Sequence, residues 1–258
     1  MADFRGRFLW YELLTTDPGS AKAFYPRITG WGLQDWTGME TPYTIWTLGE
    51  RPVGGIMELP EAARKAGAPP HWLAYVGTPS VDDTLKEATR RGASVLADPM
   101  DVPTVGRMAV LQDPQRAVFA IYTPATDPGP ELAYQNGDVS WHELATGDLD
   151  AAWDFYSSLF GWKKTESFDM GPGGPYQIYA RPGGPNLGGI YKKSAEMPFP
   201  PHWMLYLSVA DVNEGAQRVQ ANGGRVLNGP MEVPGGDWIV NAMDPQGAAF
   251  SLHHVKKS

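Results

Sequence analysis

At 258 residues the chain can hold one large domain or two of ordinary size, and 42% hydrophobic with 19% charged residues describes a packed protein and excludes a disordered one. A net charge of -8 with no basic cluster argues against a nucleic-acid partner, and no apolar run approaches the roughly 20 residues of a bilayer span. The absence of cysteine excludes disulfides, thiolate metal ligands and a cysteine nucleophile, so any chemistry must come from oxygen and nitrogen groups.

Taken in chain order, Phe8 to Thr15 alternates as a strand, Asp17 caps a helix with Ala21, Phe24 and Tyr25 on one face, and Gly30 ends it. Pro26 should shorten or kink that helix. Short strands are expected near residues 31–37, 43–48 and 53–58, separated by Gly and Pro. The pattern then restarts with a strand at 72–76, a helix at 81–91 stopped by Gly92, and strands near 94–96, 108–112 and 118–122. After a Pro-, Gly- and acid-rich stretch, the whole series begins again. WYELLTTD from Trp10 recurs as WHELATGD from Trp141, a shift of 131 residues. The same shift carries Phe24-Tyr25 onto Phe155-Tyr156, Pro69-Pro70-His71-Trp72 onto Pro200-Pro201-His202-Trp203, and Asp113-Pro114-Gln115 onto Asp244-Pro245-Gln246. Only the glycine doublets, Gly54-Gly55 and Gly188-Gly189, slip, to a shift of 134. They read as a bend or a place of close packing. The expected division is a first domain at 1–124, a linker at 125–137 and a second domain at 138–258. Each copy holds two strand-helix-three-strand modules, so the chain is an α+β protein of four βαβββ modules.

The doubled module, the strand and capped helix running into F-Y and G-W, the glycine doublet, the Asn222-Gly223-Gly224 turn and the D-P-Q-G stop at Asp244 to Gly247 resemble the vicinal oxygen chelate superfamily of glyoxalases, bleomycin-resistance proteins and extradiol dioxygenases. The resemblance covers both copies and implies two tandem glyoxalase-like domains. Members with a metal hold it with four donors on one sheet face. Those positions fall here on Trp10, near Ile56 to Glu58, on Leu73 and on Ala120, and in the second copy on Trp141, near Ile190 to Lys192, on Met204 and on Ser251. Trp, Leu, Met and Ala cannot bind a hard cation, so neither the usual metal nor another cofactor is expected.

Strand alternation places residues two apart on one face. If Trp10 and Trp141 point inward, so do Glu12 and Glu143, and on the fifth strand of each copy His71, Leu73 and Tyr75 with His202, Met204 and Tyr206. Tyr122, Ser251 and His253 have the same parity. Glu12 with His71, and Glu143 with His202, are the candidate acid-base pairs, and the alternative is that each pair merely fastens two strands. A displaced metal would use Glu143, His202 and His253. His142 has outward parity and belongs under the helix.

The leading expectation is an aromatic-lined, metal-free pocket that binds or tailors a small, largely flat secondary metabolite, in a monomer or homodimer. A lyase, isomerase or oxygenase using a Glu-His pair or a displaced metal is the alternative, and a duplicated scaffold with degenerate pockets is a third. With no signal-peptide core in MADFRGRF, the expected location is the cytoplasm.

Overall fold

The structure, a computed structural model, describes residues 4–38 and 41–256. The first repeat contains β1 (Phe8–Thr15), α1 (Pro18–Thr29), β2 (Gly32–Trp36), β3 (Tyr43–Leu48), β4 (Arg51–Glu58), a short α2 (Glu61–Lys65), β5 (His71–Gly77), α3 (Val81–Arg90), β6 (Ser94–Val102), β7 (Gly106–Gln112) and β8 (Val118–Pro124). The second contains β9 (Val139–Thr146), α4 (Leu149–Phe160), β10 (Lys163–Asp169), a 3-10 turn (Gly171–Gly173), β11 (Pro175–Ala180), β12 (Asn186–Lys192), β13 (His202–Ser208), α5 (Val212–Ala221), β14 (Arg225–Glu232), β15 (Trp238–Met243) and β16 (Ala249–His254).

These strands form two eight-stranded mixed sheets, ordered β2-β3-β4-β1-β5-β8-β7-β6 and β10-β11-β12-β9-β13-β16-β15-β14. The first and fourth strands of each module run parallel: β1 with β4, β5 with β8, β9 with β12 and β13 with β16. This is the α+β fold of paired βαβββ modules. No helix among the described residues is long and apolar enough to cross a membrane.

The first helix of each repeat is set by the same local chemistry. Asp17 accepts from Ser20 N and Asp148 from Ala151 N, satisfying an otherwise orphaned amide, while Gly30 and Gly161 close the helices at φ 78° and 73°, a backbone region glycine enters without steric cost. Pro26 does not shorten α1, which has 12 residues like α4, where Ser157 stands in its place. Burial of Phe24, Tyr25 and Ile28 on either side holds the helix through the missing amide. Two further departures concern weak signals. The five-residue α2 lacks any buried side chain, and β6 continues to Val102 through Pro99, which an edge strand tolerates with register shifts.

The described residues pack as two compact units, one of 4–9, 74–132 and 142–203, the other of 10–38, 41–73, 133–141 and 204–256. Each unit thus draws on both repeats. In the first, α3 packs against α4 and the core joins Val76, Leu111 and Phe119 to Phe155, Tyr156 and Trp162. In the second, α1 packs against α5 and Tyr25 meets Trp46, Trp72 and Phe250 edge-on. The repeated F-Y, P-P-H-W and D-P-Q motifs converge in each unit on one buried chain of hydrogen bonds. Trp203 Nε1 donates to Tyr156 OH at 3.1 Å, which donates to Asp113 Oδ2 at 2.9 Å. Trp72 Nε1 donates to Tyr25 OH at 3.0 Å, which donates to Asp244 Oδ2 at 3.1 Å. The other carboxylate oxygen of each Asp accepts two backbone amides of its own turn.

Candidate ligand-binding face

Side chains of β1, β3 and β4 divide between two faces. Leu13, Trp46 and Ile56 are buried, with the Tyr25 ring of α1 5.8 Å from Trp46. The alternate residues Trp10, Glu12, Tyr43 and Gly55 occupy the face turned away from the helix. There Trp10 Nε1 donates to Tyr43 OH at 2.9 Å and Tyr43 OH donates to Glu12 Oε1 at 2.9 Å. Tyr43 sits on β3 and Glu12 on β1, with β4 between them, and Gly55 is the β4 residue opposite Glu12. A Cβ at Gly55 would lie 1.9 Å from the Tyr43 oxygen. The doublet is therefore a place of close packing: the missing side chain lets the phenol cross β4 to reach the carboxylate.

The second repeat builds the same device. Tyr176 OH on β11 donates to Glu143 Oε2 on β9 at 2.8 Å, across Gly189 on β12, whose added Cβ would lie 2.2 Å from the Tyr176 ring. Tyr191, two residues along β12, stacks on Tyr176 at 6.1 Å and 18°. Burial, reinforced by the negative charge of Glu12, raises the Tyr43 phenol above its ordinary range, and burial followed by Glu143 does the same for Tyr191. Both phenols keep their protons at neutral pH.

The remaining candidates divide into those in contact with one another and those held locally. Tyr75 and Tyr122 meet edge-on at 6.4 Å, and Tyr122 OH donates to the Val105 carbonyl. Tyr206 meets His253 edge-on at 6.2 Å, and Ser251 Oγ donates to Asn241 Oδ1. Leu73 is buried, and Trp10, Trp141 and Met204 are half-buried. His71 Nδ1 lies 2.8 Å from the Pro69 carbonyl and His202 Nδ1 3.0 Å from that of Pro200, so each ring donates from Nδ1 and leaves Nε2 as a base. Burial lowers both pKa values, with Lys193 adding to the effect at His202, so both imidazoles are neutral at pH 7. The carboxylates that sequence parity set opposite these histidines bond to Tyr43 and Tyr176, two residues the parity argument missed. A repeated P-Y-x-I, Pro42 to Ile45 and Pro175 to Ile178, was the available signal.

The face does not fit the superfamily's metal. Trp10 Nε1 is a donor committed to Tyr43, Leu73 and Ala120 are buried apolar side chains, and Ser251 is committed to Asn241. The displaced set is not assembled either: among the described residues no three of His, Cys, Asp or Glu gather to hold a metal, so Glu143, His202 and His253 do not form one. His253 has both nitrogens engaged, Nε2 with Asp237 Oδ2 at 3.1 Å and Nδ1 with Ser140 Oγ at 2.8 Å. His142, as its parity implies, is buried; its Nδ1 donates to the Leu187 carbonyl at 2.7 Å and its ring stacks on Phe8 at 3.6 Å.

Comparison with known proteins agrees with this architecture. The profile of the Glyoxalase family (Glyoxalase/Bleomycin resistance protein/Dioxygenase superfamily) matches residues 7–121 and 139–252. The chain is 31% identical over 246 residues to "Putative glyoxylase CFP32" of Mycobacterium tuberculosis (strain CDC 1551 / Oshkosh), covering 94% of this chain and 92% of that one. It is 28% identical over 263 residues to "Anthracycline biosynthesis protein DnrV" of Streptomyces peucetius, covering 96% and 93%. Among solved structures it resembles the Mn(II)-bound glyoxalase from Novosphingobium aromaticivorans, with TM-score 0.62, 17% identity and coverage of 97% and 82%. It also resembles a variant of homoprotocatechuate 2,3-dioxygenase from B. fuscum, with TM-score 0.67, 16% identity and coverage of 96% and 71%. Two matched repeats, four βαβββ modules and two mixed sheets give one conclusion: the chain belongs to the glyoxalase/bleomycin resistance protein/dioxygenase superfamily.

Proposed function

We propose that this protein binds a small, flat, largely apolar organic molecule of the secondary-metabolite kind, without a metal, and sequesters or tailors it. The observation that carries the reading is the Glu-Tyr hydrogen bond found in both repeats, on a face with a half-buried Trp, in the sheet region where metal-holding members place their donors. An aromatic wall supplies area with little entropy to lose, and a carboxylate with a fixed orientation selects hydroxyl groups on the ligand. The naming of two Streptomyces relatives for anthracycline biosynthesis supports a polycyclic aromatic ligand. Titration with 1,4-dihydroxyanthraquinone, followed by quenching of tryptophan fluorescence, tests the proposal. Saturable binding that weakens about 10-fold or more in Glu143→Gln supports it, in line with the loss of a hydrogen bond to a charged group. Linear, non-saturable quenching overturns it.

A second reading, an isomerase or lyase, is favoured by the Tyr176 hydrogen bond at 2.8 Å that fixes the Glu143 carboxylate. In that reading Glu143 removes a proton from carbon next to a ligand carbonyl and returns it at another atom, with the phenol of Tyr176 holding the carboxylate in place. Solvent deuterium appearing in recovered ligand, and lost in Glu143→Gln, distinguishes this from passive binding.

A further inference from the structure

We infer that the second repeat's site selects aromatic acids through Lys193, whereas the first repeat's face takes neutral ligands. The inference rests on the proposed binding of flat organic molecules and concerns the chemistry of the ligand's far end.

The helix-free side of β12 presents Gly189 opposite Glu143 and then Tyr191. The ladder continues one residue beyond the strand, because Lys193 N donates to the Thr146 carbonyl at 2.8 Å, so Lys193 keeps the parity of Tyr191. Its ammonium lies 5.8 Å from the centre of the Phe199 ring, and that ring meets His202 edge-on at 4.9 Å. Lys193 is half-buried, and among the described residues its ammonium donates only to the Ser194 carbonyl at 3.3 Å and has no ion-pair partner. A half-buried ammonium over an aromatic ring, with no carboxylate to neutralise it, is complementary to an anion.

The first repeat lacks the tyrosine, the lysine and the phenylalanine of this arrangement. At the offset of the glycine doublets, Met57 stands for Tyr191 and the buried Leu59 for Lys193, and Ala68 stands for Phe199 by the repeat's main shift. Both repeats keep the Glu-Tyr device, and they differ at the strand's far end. From Gly189 to Lys193 the strand rises about 13 Å, a span that fused aromatic rings fill. The carboxylate of Glu143 repels an anion at the near end. A fitting ligand therefore carries a hydroxyl donor toward Glu143, ring faces against Tyr176, Tyr191 and Phe199, and a carboxylate at Lys193.

The test compares 5,8-dihydroxy-9,10-anthraquinone-2-carboxylate with the neutral 5,8-dihydroxy-9,10-anthraquinone-2-carboxamide by tryptophan quenching of the full chain, in wild type, Lys193→Leu and Lys192→Leu. The carboxylate is expected to bind about 10-fold more tightly to wild type, the worth of one partly screened charge contact. Lys193→Leu should bring that ratio to about one while leaving carboxamide affinity unchanged, which also shows that the variant is folded. Lys192→Leu, altering an exposed residue of opposite parity, should leave the ratio intact. Equal affinity of the two ligands for wild type, or an unchanged ratio in Lys193→Leu, overturns the inference and leaves the proposed function standing. Failure of either ligand to saturate overturns both.

Discussion

The phenols of Tyr43 and Tyr176 can approach Glu12 and Glu143 only because glycine stands between them. Gly189→Ala would push a methyl group to 2.2 Å from the Tyr176 ring, which must swing away and break its bond to Glu143. The expected cost is about 1–3 kcal/mol in urea unfolding, the range for an overpacked site. Tyr176→Phe, which keeps the ring and removes only the donor, should cost about 1–3 kcal/mol by taking one hydrogen bond from a charged acceptor. If either variant is as stable as wild type, the Glu-Tyr contact does not hold this face together. His142 makes a prediction about pH. Burial pushes its imidazole down to about 3, so from about pH 6.5 downward the unfolded chain binds a proton that the folded ring refuses. Its stabilising contribution is complete at neutral pH and drains away as acidity rises toward pH 3, by roughly 4 kcal/mol in all. His142→Gln should therefore be less stable than wild type at pH 7, with the gap closing between pH 6 and 4; a constant gap would show that the ring titrates normally.

At the scale of elements, the first strand and helix of each repeat were readable because alternation, an Asp cap and a terminal glycine agree on one answer. The α2 turn and the extension of β6 through Pro99 were not readable, since neither buries enough apolar surface to leave a pattern. Glu12 and Glu143 were legible as facing away from the helix because parity needs only one strand. Their partners were not, because a contact that skips over β4 or β12 depends on register among three strands, and register is a property of the folded sheet. The Trp-Tyr-Asp chains were present as three repeated motifs without a stated relation. Burial raises the carboxyl pKa of Asp113 and Asp244, with the Tyr hydroxyls and turn amides opposing the rise. Tyr156→Phe removes one of those opposing donors and leaves Trp203 Nε1 without its acceptor, so a loss of about 1–3 kcal/mol is expected in thermal or urea unfolding. A neutral effect would mean that the chain of bonds is exchangeable for apolar packing.

At the scale of the whole molecule, the repeat and the packing unit are different divisions of the same chain. Phe119 of the first repeat packs edge-on against Phe155 and Tyr156 of the second, and Phe24 and Tyr25 of the first against Phe250 of the second. A fragment ending at residue 124 therefore exposes half of two cores, and it should be unfolded or self-associated by sedimentation, where a stable monomer would show that one repeat suffices. The fused chain supplies both halves of each core at once, and the Glu-Tyr face of each repeat is the ligand site proposed above. That metal-free aromatic recognition is the central claim, and calorimetry of 1,4-dihydroxyanthraquinone with chelator-treated protein tests it most directly. The account predicts saturable heat with a negative heat-capacity change, and affinity about 10-fold or more weaker when Glu12 and Glu143 are both replaced by Gln. Binding that appears only after a divalent cation is added would contradict it.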